Sequence, residues 1–184
     1  PQLREAIANY LNSSRGTEYG PENIVVTPGG KPIMFFAILA LLEAGDEAIY
    51  PNPGFPIYES MINFTGATAV PSPILEKFSF ALDVSELPGL ITDKTKLLII
   101  NSPANPTGGV LNRKEIEAIA ELAVANDLIV LADEIYAEIL YEGEHVSIAT
   151  MPGMKERTII LDGFSKTYAT VSYTHLTLPT IYSV

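Results

Sequence analysis

The sequence predicts an α/β fold of three layers, with a mostly parallel sheet between two layers of helices. Three observations predict it. Short apolar runs alternate with segments of helical period. Hairpin signals between those runs are few, so helical, right-handed crossovers are the expected connections. The run Leu128-Ile129-Val130-Leu131-Ala132 is apolar at every position, as expected of a parallel strand covered on both faces.

The elements follow in order. Leu3, Ala6, Ile7, Tyr10 and Leu11 keep the helical period, and Tyr19-Gly20-Pro21 breaks it. Ile24-Val25-Val26-Thr27 reads as a short strand ending at Pro28-Gly29-Gly30. Lys31 to Ala44 reads as a helix, apolar on most faces and therefore expected to be buried. Gly45-Asp46 ends it. Glu47 to Tyr50 is the next strand, Pro51-Asn52-Pro53-Gly54 a loop, and Pro56 to Phe64 a helix. Ala67 to Val70 reads as a strand and Val84 to Leu87 as the start of a short helix. Lys96 to Ile100 is a strand leading into the loop Asn101 to Gly109. Arg113 to Ala125 is the clearest helix, with Ile116, Ile119, Ala120 and Ala123 on one face. Leu128 to Ala132 and Thr158 to Leu161 complete the strands.

Composition narrows the function. At 184 residues the chain has the length of one domain or of a piece of a larger one, and the lack of a leading Met points to the latter. The net charge of −11, from 22 acidic against 11 basic residues, argues against a nucleic-acid partner and against a polybasic membrane anchor. The longest apolar run, Ile33 to Leu42, falls well short of the ~20 residues of a membrane span. There is no Cys, which excludes disulfides, thiolate metal sites and a catalytic thiol; two His make a His-rich metal cluster unexpected, and no metal is expected. With no Cys and no visible leader, the cytoplasm is the expected location.

In a parallel sheet, ligands sit beyond the carboxyl ends of the strands. The residues there are Gly29-Gly30-Lys31, Asn52 and Phe55, Asn101 to Gly108, Asp133-Glu134-Ile135-Tyr136 and Gly163-Phe164-Ser165-Lys166. Taken singly, each has a plain reading. Gly29-Gly30 makes a tight turn, Phe55 a core ring, Asn105-Pro106-Thr107-Gly108 a turn and Lys166 a surface lysine. Asp133 is harder to dismiss. A carboxylate directly after five apolar residues is costly unless a hydrogen-bond donor, a metal or a protonated ring nitrogen meets it. A lysine beside a strand end can be a desolvated amine suited to a Schiff base. A helix starting at Gly30 offers free N–H groups to an anion.

The combination is more specific than its members. Gly29-Gly30-Lys31, Pro53-Gly54-Phe55-Pro56-Ile57-Tyr58, Asn101-Ser102-Pro103-Ala104-Asn105-Pro106-Thr107-Gly108, Asp133-Glu134-Ile135-Tyr136 and Ser165-Lys166-Thr167-Tyr168-Ala169 resemble, in order and spacing, the motifs of the class I/II aminotransferases. These are pyridoxal 5'-phosphate (PLP) enzymes with the aspartate aminotransferase fold. The resemblance implies that residues 1–170 are a partial PLP-binding large domain. It implies that Lys166 holds PLP as a Schiff base and moves a proton, and that Asp133 pairs with the pyridine nitrogen. Asn105 and Tyr136 match positions that hydrogen-bond the phenolic oxygen, and Phe55 matches the ring that stacks on the cofactor. Gly29, Gly30 and Lys31, with Ser165, match parts of the phosphate cup. The implied activity moves an amino group between an amino acid and a 2-oxo acid, in a homodimer with active sites at the subunit interface.

Two departures accompany the resemblance. Gly163 stands where the family often has a phosphate-binding Ser. The family's phosphate-neutralising arginine, eight residues after the lysine, is replaced by Thr174. Residues 171–184 do not follow the family and read as translated sequencing-adapter DNA. The arginine that binds the substrate carboxylate would lie beyond the chain. Three alternatives stand beside aminotransfer: a PLP-dependent carbon–sulfur lyase on the same scaffold, a truncated inactive domain, and a Mg²⁺-dependent nucleotide hydrolase using Asp133-Glu134. The last lacks the Gly-x-x-x-x-Gly-Lys-Ser/Thr loop it needs.

Overall fold

Side-chain alternation along the strands divides the core in two. A computed structural model describes residues 2–170. Its strands are β1 (Glu47–Asn52), β2 (Thr68–Pro73), β3 (Thr95–Asn101), β4 (Ile129–Asp133) and β5 (Thr158–Leu161). They form one sheet in the order β2-β1-β3-β4-β5, and every neighbouring pair is parallel. Because successive residues point to opposite faces, Ala48, Tyr50, Leu97, Ile99, Leu131 and Leu161 enter one core. Ile49, Leu98, Ile100, Val130 and Ala132 enter the other. Helices α2 (Gly30–Leu41) and α3 (Ile57–Thr65) cover the first face through Met34, Ile38, Tyr58 and Ile62. The short α4 (Leu87–Leu90) and the long α5 (Arg113–Ala125) cover the second through Leu87, Ile116, Ile119 and Ala123. The predicted three layers are present.

Local chemistry places the helix ends. Asn112 caps α5: its Oδ1 accepts the N–H groups of Lys114 and Glu115, and Glu115 Oε2 accepts the Asn112 N–H at 2.7 Å. Helix α3 stops at Gly66, whose φ of 82° is the left-handed turn that ends helices cheaply only at glycine. The α1 helix (Gln2–Arg15) has its own small core, Ala8 and Leu11 against Ile24.

The chain departs from the sequence prediction in three places. Residues 24–27 join no ladder of the described sheet, although Ile24 is extended. A strand needs a neighbour, and the segment lies across a groove of about 520 Å³ from the open edge of β5, with Val25 80% exposed. The helix expected over Lys31–Ala44 starts at Gly30 and stops at Leu41; Leu42 is extended, and Asp46 Oδ2 takes the Glu43 N–H into a turn instead. Nor is it buried all round. Only one face meets the sheet, while Phe35, Phe36 and Leu39 stay exposed beside Phe64. The strand ends also shift outward: β1 continues through Pro51 because that residue pairs only toward β2, where Pro71 and Pro73 tolerate an edge. Residues 171–184, expected to leave the family pattern, lie outside the described residues.

A stability comparison tests this packing. Leu131→Ala empties a fully buried site between β3, β5 and α2 and should cost about 2–5 kcal/mol. Asn112→Ala removes an exposed cap and should cost about 1 kcal/mol. Urea unfolding of both variants reads the difference; equal losses would contradict the assigned core.

Candidate active site

The strand order reverses between β1 and β3: from β1 the chain moves out to β2, then returns to β3 and continues to β4 and β5. A crevice opens at such a reversal, beyond the carboxyl ends of the strands. The loops after β1, β3, β4 and β5 that the sequence singles out leave from that edge, and the Gly29-Gly30-Lys31 turn reaches it through Ile135.

Alternation decides which way each side chain points. Asp133 has the parity of Leu131, so its carboxyl lies on the α2/α3 face, paired in register with Leu161. It is 3% exposed. Its Oδ2 accepts the Tyr58 hydroxyl of α3 at 2.5 Å, and its Oδ1 accepts the Ile135 N–H at 3.3 Å. Asn101 has the same parity at the end of β3. Its amide donates to the carbonyls of Asp133 and Pro103, and its Oδ1 accepts the Asn105 N–H at 2.7 Å. This amide fixes the loop that presents Asn105, whose own side chain is half-buried. Glu134 has the opposite parity and different partners: Ser147, His145 and Arg15. The two adjacent carboxylates diverge, so they do not form the joint cation site that a nucleotide hydrolase would need. Among the described residues no cluster of three metal-ligating side chains occurs.

The aromatic and glycine positions fall around Asp133. Phe55 is half-buried and packs edge-on against Tyr58, with ring centroids 6.1 Å apart. Gly29 has φ 94°, a backbone state that side chains resist, and it turns the chain into α2 at Gly30 and Lys31. Ile135 Cδ1 fills the space beside both Gly30 and Gly163, so the α2 start, the β4 end and the β5 end meet at one side chain. Lys166 lies on the single-turn α6 (Phe164–Thr167) beyond β5, and its Nζ sits 5.5 Å from the Tyr136 ring centroid. Ser165 is half-buried on the same turn.

Lys166 is solvent-exposed, which is the plain reading of a surface lysine and not the desolvated amine. β5, which leads into its turn, is the edge strand of the described sheet. The sequence reading also missed Tyr58 as a partner of Asp133, and Asn101. Tyr58 closes the quoted Pro53–Tyr58 motif, but its pairing depends on α3 crossing the end of β4. That crossing is a tertiary fact with no local signal.

Comparison with known proteins gives the family. A family model described as aminotransferase class I and II matches residues 1–172. The chain belongs to this family. An aspartate aminotransferase of Pyrococcus abyssi is 44% identical over 171 residues, which is 92% of this chain and 44% of that protein. An aromatic-amino-acid aminotransferase of Thermococcus litoralis is 40% identical over 91% of this chain and 44% of its own length. Among solved structures, Thermus thermophilus aspartate aminotransferase with maleate superposes with a TM-score of 0.89 at 38% identity, covering 93% of this chain and 44% of that one. The chain thus spans less than half the length of these relatives.

The electrostatics of Asp133 make a test. Burial pushes its carboxyl up to about 6, and the Tyr58 hydroxyl and Ile135 N–H offset only part of that rise. Burial, and then the Asp133 charge, push the Tyr58 hydroxyl well above the usual tyrosine range, so it stays a donor. The folded chain therefore keeps a proton that the unfolded chain releases between pH 3.8 and about 6. Because the folded state binds more protons there, stability falls as pH rises through that window, by at most ~3 kcal/mol. Asp133→Asn escapes the loss. Its stability relative to the unchanged chain should climb across the window and level off above it, in urea unfolding at stepped pH. A pH-independent difference would contradict the buried carboxylate.

Proposed function

We propose that the protein containing this chain is a PLP-dependent aminotransferase that moves an amino group between an amino acid and a 2-oxo acid, with Lys166 as its Schiff-base lysine. The observation that carries the reading is the buried carboxylate of Asp133, which has no ion-pair partner among the described residues and stands at the strand edge that also carries Lys166. The residues present fit such a cofactor. The donor set at Asp133 consists of one hydroxyl and one long N–H bond, which offset only part of the burial and leave a buried acid whose charge a cation would favour further. A protonated pyridine nitrogen is such a cation.

The chemistry PLP supplies when bound is that of an electron sink. The chain's own groups do the rest. Asp133 would hold the proton on the ring nitrogen, with Tyr58 keeping the Asp133 carboxylate in place. Lys166 Nζ would take the proton from the substrate Cα and return it. Tyr136, whose ring lies beside that amine, and the Asn105 amide would donate to the phenolic oxygen. Phe55 would stack on the cofactor ring. The N–H groups of Gly30 and Lys31 at the start of α2, after the Gly29 turn, would bind the phosphate together with Ser165. The relatives named above are aminotransferases, which favours transfer over the carbon–sulfur lyase. A homodimer and a cytoplasmic location belong to the same proposal.

Adding PLP to the purified parent protein should give a yellow absorbance band, and borohydride should fix the label on Lys166 in a peptide map. Lys166→Ala should abolish both. A label fixed on another lysine, or a band that survives Lys166→Ala, would overturn the assignment.

A further inference from the structure

Arg15 is the last residue of α1 and is remote in sequence from every motif described above. Its side chain is 2% exposed, and one guanidinium serves three carboxylates. Nε donates to Glu134 Oε2 at 3.2 Å, Nη1 to Glu138 Oε1 at 2.6 Å and Nη2 to Asp162 Oδ2 at 2.9 Å. The acceptors are not scattered. Glu134 follows Asp133 directly, Glu138 lies two residues beyond Tyr136, and Asp162 lies four residues before Lys166.

We propose that Arg15 is a positioning residue for aminotransfer, fixing the spacing of Asp133, Tyr136 and Lys166 by tethering an acidic residue within four positions of each of them. The inference rests on the functional reading given above. Arg15 itself touches none of the three groups in the contacts described; it acts through the backbone they share with its partners. Other contacts make each tether stiff. The Glu134 N–H donates to the Leu161 carbonyl at 2.9 Å, joining the ends of β4 and β5 under the guanidinium. Ser147 donates to Glu134 Oε1 at 2.6 Å, and His145 Nε2 lies 3.0 Å from Glu134 Oε2. The Tyr10 hydroxyl donates to Glu138 Oε1 at 2.8 Å, and the Tyr10 ring lies 5.6 Å from the Arg15 guanidinium carbon. Asp162 Oδ1 accepts the Gly163 N–H at 2.7 Å, at the start of the turn that carries Lys166.

One buried guanidinium is the shared positive charge among these three carboxylates. The planar fork of arginine supplies donors in three directions at once, which a lysine ammonium cannot match in geometry. Without Arg15, Glu134 and Asp162 face each other across the ends of β4 and β5 as like charges in a dry site, and the two loops are pushed apart. A displacement of that kind changes how far the amine sits from the acid at the ring nitrogen without removing either group. Reaction rate is sensitive to such spacing, whereas substrate binding is less so.

The test uses the full-length protein reconstituted with PLP. In Arg15→Lys, kcat should fall ~10- to 100-fold with KM changed by less than ~3-fold. The circular dichroism of the bound cofactor should change, and the PLP dissociation constant should rise, while the far-ultraviolet spectrum of the apoprotein stays that of the unchanged protein. If Arg15→Lys does not fold, Asp162→Asn, which weakens one tether and leaves the guanidinium, should show the same changes on a smaller scale. A folded variant with unaltered kcat, cofactor dichroism and PLP affinity overturns the positioning role and leaves the aminotransferase reading standing. Failure of the unchanged protein to attach PLP at Lys166 overturns that reading and this inference together.

Discussion

The Asp133 carboxylate sits at the end of an apolar strand, 3% exposed, with two hydrogen-bond donors and no ion-pair partner among the described residues. Burial of an acid in that state is unfavourable, and the chain accepts it at a position where the sheet, α3 and the β3 loop all converge. Tyr58 reaches it from α3, and Asn101 ties its backbone to the β3 loop. The strand on which it sits is covered on both faces, so the acid cannot turn to water without breaking the core. Local stability has been given up at one point, as is common where a fold carries chemistry.

The layers were legible because they follow from periodicity. The all-apolar run over Leu128 to Ala132 corresponds to β4, and the expected bounds of Arg113–Ala125 and Thr158–Leu161 are those of α5 and β5. That the loops carrying Phe55, Asn105, Asp133, Tyr136 and Lys166 follow strands of one sheet was legible for a different reason. Motifs that follow successive parallel strands share an edge whatever the details of packing. What stayed hidden depended on partners distant in sequence. Ile24 to Thr27 has strand composition, yet a strand is defined by its neighbour, and the described sheet offers none. The apolar face of α2 formed by Phe35, Phe36 and Leu39 looked like core because hydrophobicity was read without knowing what lies opposite. Tyr58 and Arg15 carry no local mark of their tertiary roles.

The arrangement also explains why the motifs form a unit rather than a set of independent contacts. Asp133 and Glu134 are adjacent, and alternation sends one to the α2/α3 face and the other to the opposite side. The first meets Tyr58 and the Ile135 N–H, while the second meets Arg15, His145 and Ser147. Ile135, next in line, packs between Gly30 and Gly163. Three consecutive residues thus join the buried acid, the salt-bridge cluster and the two glycines at the α2 and β5 ends. No helix among the described residues is long and apolar enough to cross a membrane, and the acidic surface implied by a net charge of −11 leaves anion binding to local N–H groups.

The central claim is that Asp133 keeps the ring nitrogen of a bound pyridine protonated. Nitrogen-15 NMR of the full-length protein loaded with ring-labelled PLP measures this directly. The account predicts a pyridinium signal that persists through neutral and mildly alkaline pH in the unchanged protein and is lost in Asp133→Ala. A neutral pyridine signal in the unchanged protein, or a pyridinium signal that survives Asp133→Ala, would contradict it.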